Sequence, residues 1–465
     1  MHIDGNTIQT VIRRISGMVW GPGTVAVMLG IGLYFMIQSR FLPFRRPDLW
    51  LTGTVRQLFQ RERTRPGTIT RRQALATALA GTMGTGNIAG VATAISLGGP
   101  GAVFWMWVSG CAGMMLKYAE TVLAVRFRRR NAEGSWQGGA MEVMTYGLRM
   151  PVLAAIYAGC CMLASFGMGN MAQSNTIAQS LQHAFHLPPA WTAAGCALCV
   201  GLVVCGGVRR IAQVAEAAIP ALSLLYGIGG LTVIVCHMDR LGPALAEIVS
   251  GALTGQAAAG GAAGAGIAAA MRHGFSAGIF SNEAGLGSSG MVYAAAEDAD
   301  PAEQGLWGMF EVFVDTMVVC TITALAILTS GAREGGQTGA ELTIAAFETV
   351  FGAWGSAIVA VSIALFALAS MLGWAYYGER SCRALSGGTG RGYRVLFIGA
   401  AALGCLMRLE AVWGLSEIFN GLMAVPNLIT LVLLAPVVRA ITAEKTGGIR
   451  RKIPEKKRKK FEKTS

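Results

Sequence analysis

Long apolar runs separated by short polar connections dominate the chain. They fall at 17–37, 75–98, 102–125, 151–182, 190–207, 211–236, 258–295, 305–330, 353–377, 392–407 and 413–440. A helix needs about 20 mostly apolar residues to cross a bilayer. The pattern therefore predicts an all-α polytopic membrane protein of about 11 transmembrane helices. The first run is long enough to span and has no small-residue cleavage site behind it, so it reads as a retained helix.

Composition agrees with the pattern. Of 465 residues, 14% are charged and 63 are Gly, against about 25% and 7% in soluble domains. An ordinary cytosolic enzyme, a coiled coil and a disordered chain are excluded. Glycine at this level suits helices that pack closely or break. Ten cysteines lie mostly within apolar runs, which argues against a disulfide framework.

The net charge of +13 would point to nucleic acid in a soluble protein. Here it points to basic loops, and no nucleic-acid partner is expected. Loops 39–72, 126–150, 209–210 and 380–394 and the segment 439–465 carry 31 Lys and Arg; the opposite side carries 5. That asymmetry puts the N-terminus outside and the C-terminus in the cytoplasm. The expected organisation is an extracytoplasmic N-terminus (1–16), a peripheral N-terminal helix (17–38), two five-helix repeats (73–237 and 256–440) and a basic cytoplasmic tail (441–465). The tail reads as a topology anchor attracted to anionic lipid. Residues 131–142 and 239–257 read as polar or Gly-rich connections.

Two runs carry glycine mixed with polar residues. Ala80 to Gly90 holds four Gly, two Thr and Asn87; Arg272 to Ser288 holds Gly with Ser, Asn and Glu283. An unpaired backbone group in hydrocarbon costs several kcal/mol, so a break at mid-membrane lines a cavity or is buried in protein. Broken helices are expected near 80–90 and 274–287. The second stretch also fits a loop beyond its span. Each opens one five-helix half, and an odd number of helices per half inverts the second. Paired breaks at matching positions point to the binding site of a secondary transporter.

Other polar residues sit inside spans. Gln173 is a candidate substrate contact or an interhelical hydrogen bond. Lys117 and Glu120, three apart, read as a self-neutralising pair, a structural ion pair or gate, with a coupling role as the alternative; Glu311 and Asp315, four apart, read as a polar seam, with Asp315 an ion or proton ligand or a structural carboxylate. Ser370 offers a hydroxyl, and Trp374 a bulky wall on the same face. No HExxH or GxSxG occurs, and the chain is not expected to be an enzyme.

The segments GTGNIAGVATAI (84–95), GGPGAVFWMWVS (98–109), KYAE (117–120), QAAAGG (256–261), FSNEAGLGS (280–288), GMFEVFVDT (308–316), GWAYYGE (373–379) and FNGLMAVPNL (419–428) resemble the alanine/glycine:cation symporter family, the sodium:alanine symporters. The resemblance implies a LeuT-type fold, a 5+5 inverted repeat with one additional N-terminal helix. It implies import of a small neutral amino acid, alanine or glycine, with Na⁺ as coupling ion, across a bacterial inner membrane. Some members carry glutamine or D-alanine. By the same analogy Thr82, Thr85 and Gly86 meet the substrate carboxylate, and Gln173, Phe280 and Trp374 complete its site. The Na⁺ site draws on carbonyls of Ala80 and Met83, the Ser370 hydroxyl and Asn87, which alternatively caps a half-helix. Family members usually read Ser-Thr where this chain has Ala369-Ser370. An H⁺-coupled carrier of the same fold and a non-transporting amino-acid sensor are the alternatives.

Overall fold

The computed structural model describes residues 14–60, 68–131, 134–254, 263–407 and 410–446. The first 13 residues, the QAAAGG segment and the basic tail beyond 446 lie outside them. The described chain is helical almost throughout. In order it forms α1 (Pro22–Gln38), α2 (Arg71–Thr82), α3 (Ala89–Gly98), α4 (Gly101–Arg126), α5 (Pro151–Phe185), α6 (Pro189–Val204), α7 (Gly207–Cys236), α8 (Leu241–Leu253) and α9 (Ala263–Asn282). There follow α10 (Gly290–Ala295), α11 (Pro301–Ser330), α12 (Gly339–Phe351), α13 (Ala353–Ser386), α14 (Arg391–Leu406), α15 (Glu410–Leu433) and α16 (Ala435–Lys445). Among the described residues, helix occupies most of each predicted apolar run. By length and composition, 5 described helices could each cross a bilayer, or 6 if the bent pair α15–α16 is one span.

Local chemistry sets the ends. Thr70 and Gln73 make a reciprocal capping box that starts α2. It satisfies two of the amide donors that a helix start leaves open. Asp300 accepts from the Glu303 amide and starts α11, with Pro301 in the first turn. Proline also opens α5, α6 and α16.

The core gathers around α4, which packs against α9 and α11, and around α13, which packs against α2, α5 and α7. Leu198, Leu202, Leu224, Ile228, Val395 and Leu396 are exposed instead. Such apolar outer faces are what hydrocarbon, not water, would cover.

Three sequence expectations change. The stretch 239–257 is not merely a connection: Leu241–Leu253 is a helix. Its Gly and Pro mask an i, i+4 repeat that buries Ala244, Ile248 and Ala252. Within 131–142, Trp136–Gln137 pairs antiparallel with Arg129–Arg130, a two-residue pairing in a fold that is otherwise helical. The second break is narrower than 274–287: residues up to Asn282 stay helical, and the interruption runs from Glu283 to Ser289.

Candidate functional site

The first break forms as its glycines and polar residues demand. After Thr82 the chain leaves helical geometry at Met83 and Gly84, makes one 3₁₀ turn (Thr85–Asn87), and resumes as α3. All of it is buried. Gly84 allows close approach: a Cβ there would lie 3.1 Å from Gln173 Oε1 and 3.2 Å from Ser370 Oγ.

Side chains from three other helices, and one from the break itself, satisfy the exposed backbone. The Thr85 amide donates to Gln173 Oε1 (3.3 Å). The Gly84 amide donates to Asn87 Oδ1 (3.0 Å). Ser370 Oγ donates to the Gly81 carbonyl (3.0 Å), and Thr323 Oγ1 donates to the Asn87 carbonyl (2.8 Å). Asn87 Nδ2 reaches Ser281 Oγ (3.0 Å) and Asp315 Oδ1 (2.7 Å).

The predicted residues thus converge, with different surroundings. Thr85, Gly86 and Phe280 line a cavity of about 550 Å³. Its lining continues along Ala89–Leu97 and Arg272–Ala277 and includes Ser16, Trp20 and Glu417. Thr85 Oγ1 is buried and has no partner among the described residues. The Thr82 hydroxyl turns back to the Ala78 and Leu79 carbonyls. Ala80 and Met83 flank the Gly81 carbonyl that Ser370 touches, and both are buried. Trp374 does not line this cavity: it is fully buried, its ring against Gly169, where a Cβ would overlap it, and its N–H on Glu283.

The second break is buried too, which removes the loop alternative. Glu283 adopts φ 53°, and Gly285 and Gly287 adopt φ 93° and 74°. Trp374 Nε1 donates to Glu283 Oε1 (2.7 Å) and Ser288 Oγ to Glu283 Oε2 (2.6 Å). Asn427 Nδ2 donates to the Gly285 carbonyl (2.9 Å), and the Tyr157 hydroxyl to the Leu286 carbonyl (2.9 Å).

The charges pair differently from their sequence spacing. Lys117 Nζ sits 3.4 Å from Glu311 Oε1, not in a pair with Glu120. Glu120 Oε1 instead accepts from Asn427 Nδ2 (2.7 Å) and the Gly287 amide (3.1 Å). Asp315 accepts from Asn87, Ser281 and Thr316.

Ser281, Thr323, Asn427 and Tyr157 were not singled out from sequence as break-stabilising residues. Lone polar residues in apolar runs were the available signal, and that signal does not say which backbone they meet. Ser16, Trp20 and Glu417 carried no signal of the cavity.

The Sodium:alanine symporter family profile matches residues 5–461. The sodium/alanine symporter AgcS of Methanococcus maripaludis is 38% identical over 92% of this chain and 95% of its own length. The probable sodium/glutamine symporter GlnT of Bacillus subtilis is 36% identical over 95% of this chain and 93% of its own. Among solved structures, a manganese transporter of Eremococcus coleocola shares the fold at TM-score 0.51 and 15% identity, covering 80% of this chain and 78% of that one.

Proposed function

The chain belongs to the sodium:alanine symporter family, and we propose that it imports a small neutral amino acid, alanine or glycine, together with Na⁺. The observation that carries this reading is the buried first break, held open beside the 550 Å³ cavity by Gln173 and Ser370.

The substrate carboxylate meets backbone amides and the unpartnered Thr85 hydroxyl. Gly86 leaves room there, since a Cβ would approach Phe280 to 3.4 Å. Thr82 contributes its backbone, because its hydroxyl is engaged. Phe280 walls the site, and Gln173 orders the Thr85 amide. Na⁺ is a hard cation that prefers oxygen donors. Carbonyls of Ala80 and Met83, with Ser370 Oγ beside Gly81, supply them. Asn87 joins by capping Gly84 and ordering the segment. Ion and solute each raise the other's affinity by shaping the same segment.

The architecture proposed is a LeuT-type 5+5 inverted repeat (73–237 and 256–440) of ten helices with α1 as an eleventh. The N-terminus is outside and the basic tail cytoplasmic, in a bacterial inner membrane. In that orientation the cavity opens outward. The relative named as a glutamine symporter makes glutamine the second substrate to try.

Uptake of labelled L-alanine into proteoliposomes, with and without an inward Na⁺ gradient, tests the proposal. Na⁺-dependent uptake weakened by Ser370→Ala is expected. Uptake indifferent to Na⁺ overturns the ion site; binding of alanine, glycine and glutamine without uptake points to a sensor.

A further inference from the structure

Beside the second break lies a buried cluster that the substrate and Na⁺ sites leave unused: Lys117, Glu120, Glu283 and Glu311. Lys117 and Glu311 balance each other at 3.4 Å, and the second Glu311 oxygen accepts the Tyr293 hydroxyl (2.9 Å). Glu283 has a donor on each oxygen. Glu120 differs. Its Oε1 takes two donors, whereas its Oε2 is buried with no partner among the described residues.

Glu120 also lines a cavity of about 10 Å³, bounded by Ala140, Val143, Gly287, Asn427 and Thr430. That volume suits a single water. Ala140 and Val143 belong to the segment that follows Arg126–Arg130, so the cavity lies toward the basic face.

Three carboxyls and one ammonium make up this cluster. An ionised carboxylate without a counter-charge is strongly disfavoured in the interior, and neutralises instead. The titratable groups that interact with Glu120 are Lys117, one turn away on its own helix, and Tyr157 from α5. Lys117 lies 3.4 Å from Glu311 and also interacts with Glu120 and Glu283, so one ammonium serves three carboxyls. Glu142, next to the cavity-lining Val143, is held by Arg380 (2.6 Å).

We propose that Glu120 is a proton-binding site, with the proton on Oε2, donated to a water in the small cavity and exchanged with the basic face. The step is association of a proton with a carboxylate; no electrons move. Gly287 and Asn427 bind Glu120 and belong to, or hold, the second break. Movement of residues 283–289 therefore changes the acceptor duties of Glu120. Proton binding and that movement are then linked, so Glu120 makes the transport cycle depend on pH.

The site stands without the carrier reading; only the transport arm of the test rests on it. Infrared difference spectra between acidic and alkaline pH are recorded on the full-length protein, its Glu120→Gln and its Glu283→Gln variants. A carboxylic-acid C=O band lost on alkalinisation is expected in wild type and Glu283→Gln, and is expected to be missing in Glu120→Gln. Glutamine keeps the oxygen that accepts from Gly287 and Asn427, so the fold is retained. Glu120→Asp is expected to restore a band. A band that survives in Glu120→Gln overturns the assignment.

In proteoliposomes, alanine uptake by wild type is expected to vary with pH across the titration of Glu120. Glu120→Gln is expected to take up alanine with a flattened pH profile. A wild-type profile that Glu120→Gln leaves unchanged overturns the linkage. The infrared band with no uptake of any amino acid supports the site and overturns the carrier reading instead.

Discussion

Trp374 Nε1 donates to Glu283 Oε1 at 2.7 Å, and this bond ties the two breaks together through one helix. Trp374 lies one turn beyond Ser370, which bonds the Gly81 carbonyl in the first break. Glu283 opens the second break at φ 53°. A non-glycine residue in that region costs about 1–3 kcal/mol and persists only when its surroundings over-determine it. Here Trp374 and Ser288 do so.

Trp374→Phe keeps an aromatic ring and removes the N–H. Glu283 Oε1 then loses its donor in a buried setting, a loss of about 1–3 kcal/mol. A lower Tm in detergent and a weaker alanine affinity are expected together. An unchanged Tm with unchanged affinity would show that the bond couples nothing.

Gly373 lets α13 lie directly on the first break. A Cβ there would stand 2.7 Å from Gly81 Cα, closer than carbon atoms pack. Gly373→Ala is expected to weaken Na⁺ dependence of uptake about tenfold, or about 1.4 kcal/mol. Gly227→Ala on α7 is the control: nothing lies within 4 Å of its added Cβ, so activity is expected to hold.

Lys117→Met leaves Glu311 buried without its cation. Breaking a buried pair from one side costs about 3–5 kcal/mol. Glu311→Gln leaves the opposite charge. The double variant Lys117→Met/Glu311→Gln removes both and is expected to be more stable than Lys117→Met alone. Thermal unfolding of the four proteins gives the coupling energy directly; strict additivity would argue against the pair.

Thr85→Val removes a buried hydroxyl that bonds nothing in the described structure. Losing an unsatisfied group does not destabilise a fold, so Tm is expected to hold or rise. Alanine affinity is expected to fall, because Thr85 lines the cavity. A loss of stability with unchanged affinity would remove Thr85 from the substrate site.

Much of the site was legible because membrane interiors tolerate few polar residues. Thr85, Asn87, Gln173, Glu283 and Ser370 each stood out against apolar neighbours, and the structure gathers all five around the two breaks. Their partners were not legible. The i,i+3 spacing put Lys117 with Glu120, since both lie on one face of α4. The cation instead reaches across to α11. The Leu241–Leu253 helix escaped for a related reason: 13 residues with an internal Gly and Pro resemble a connection until a packing surface for them exists.

By itself the sequence determined the membrane class, the apolar segments and the location of the first break. Those follow from run length, glycine content and the cost of unpaired backbone in hydrocarbon, all of which are local. Only the tertiary structure decided that the second break begins at Glu283, which carboxyl pairs with Lys117, and that Glu120 keeps one oxygen free beside a water-sized space. Those depend on which helices meet and at what distance, and a one-dimensional pattern holds no information about distance across the bundle.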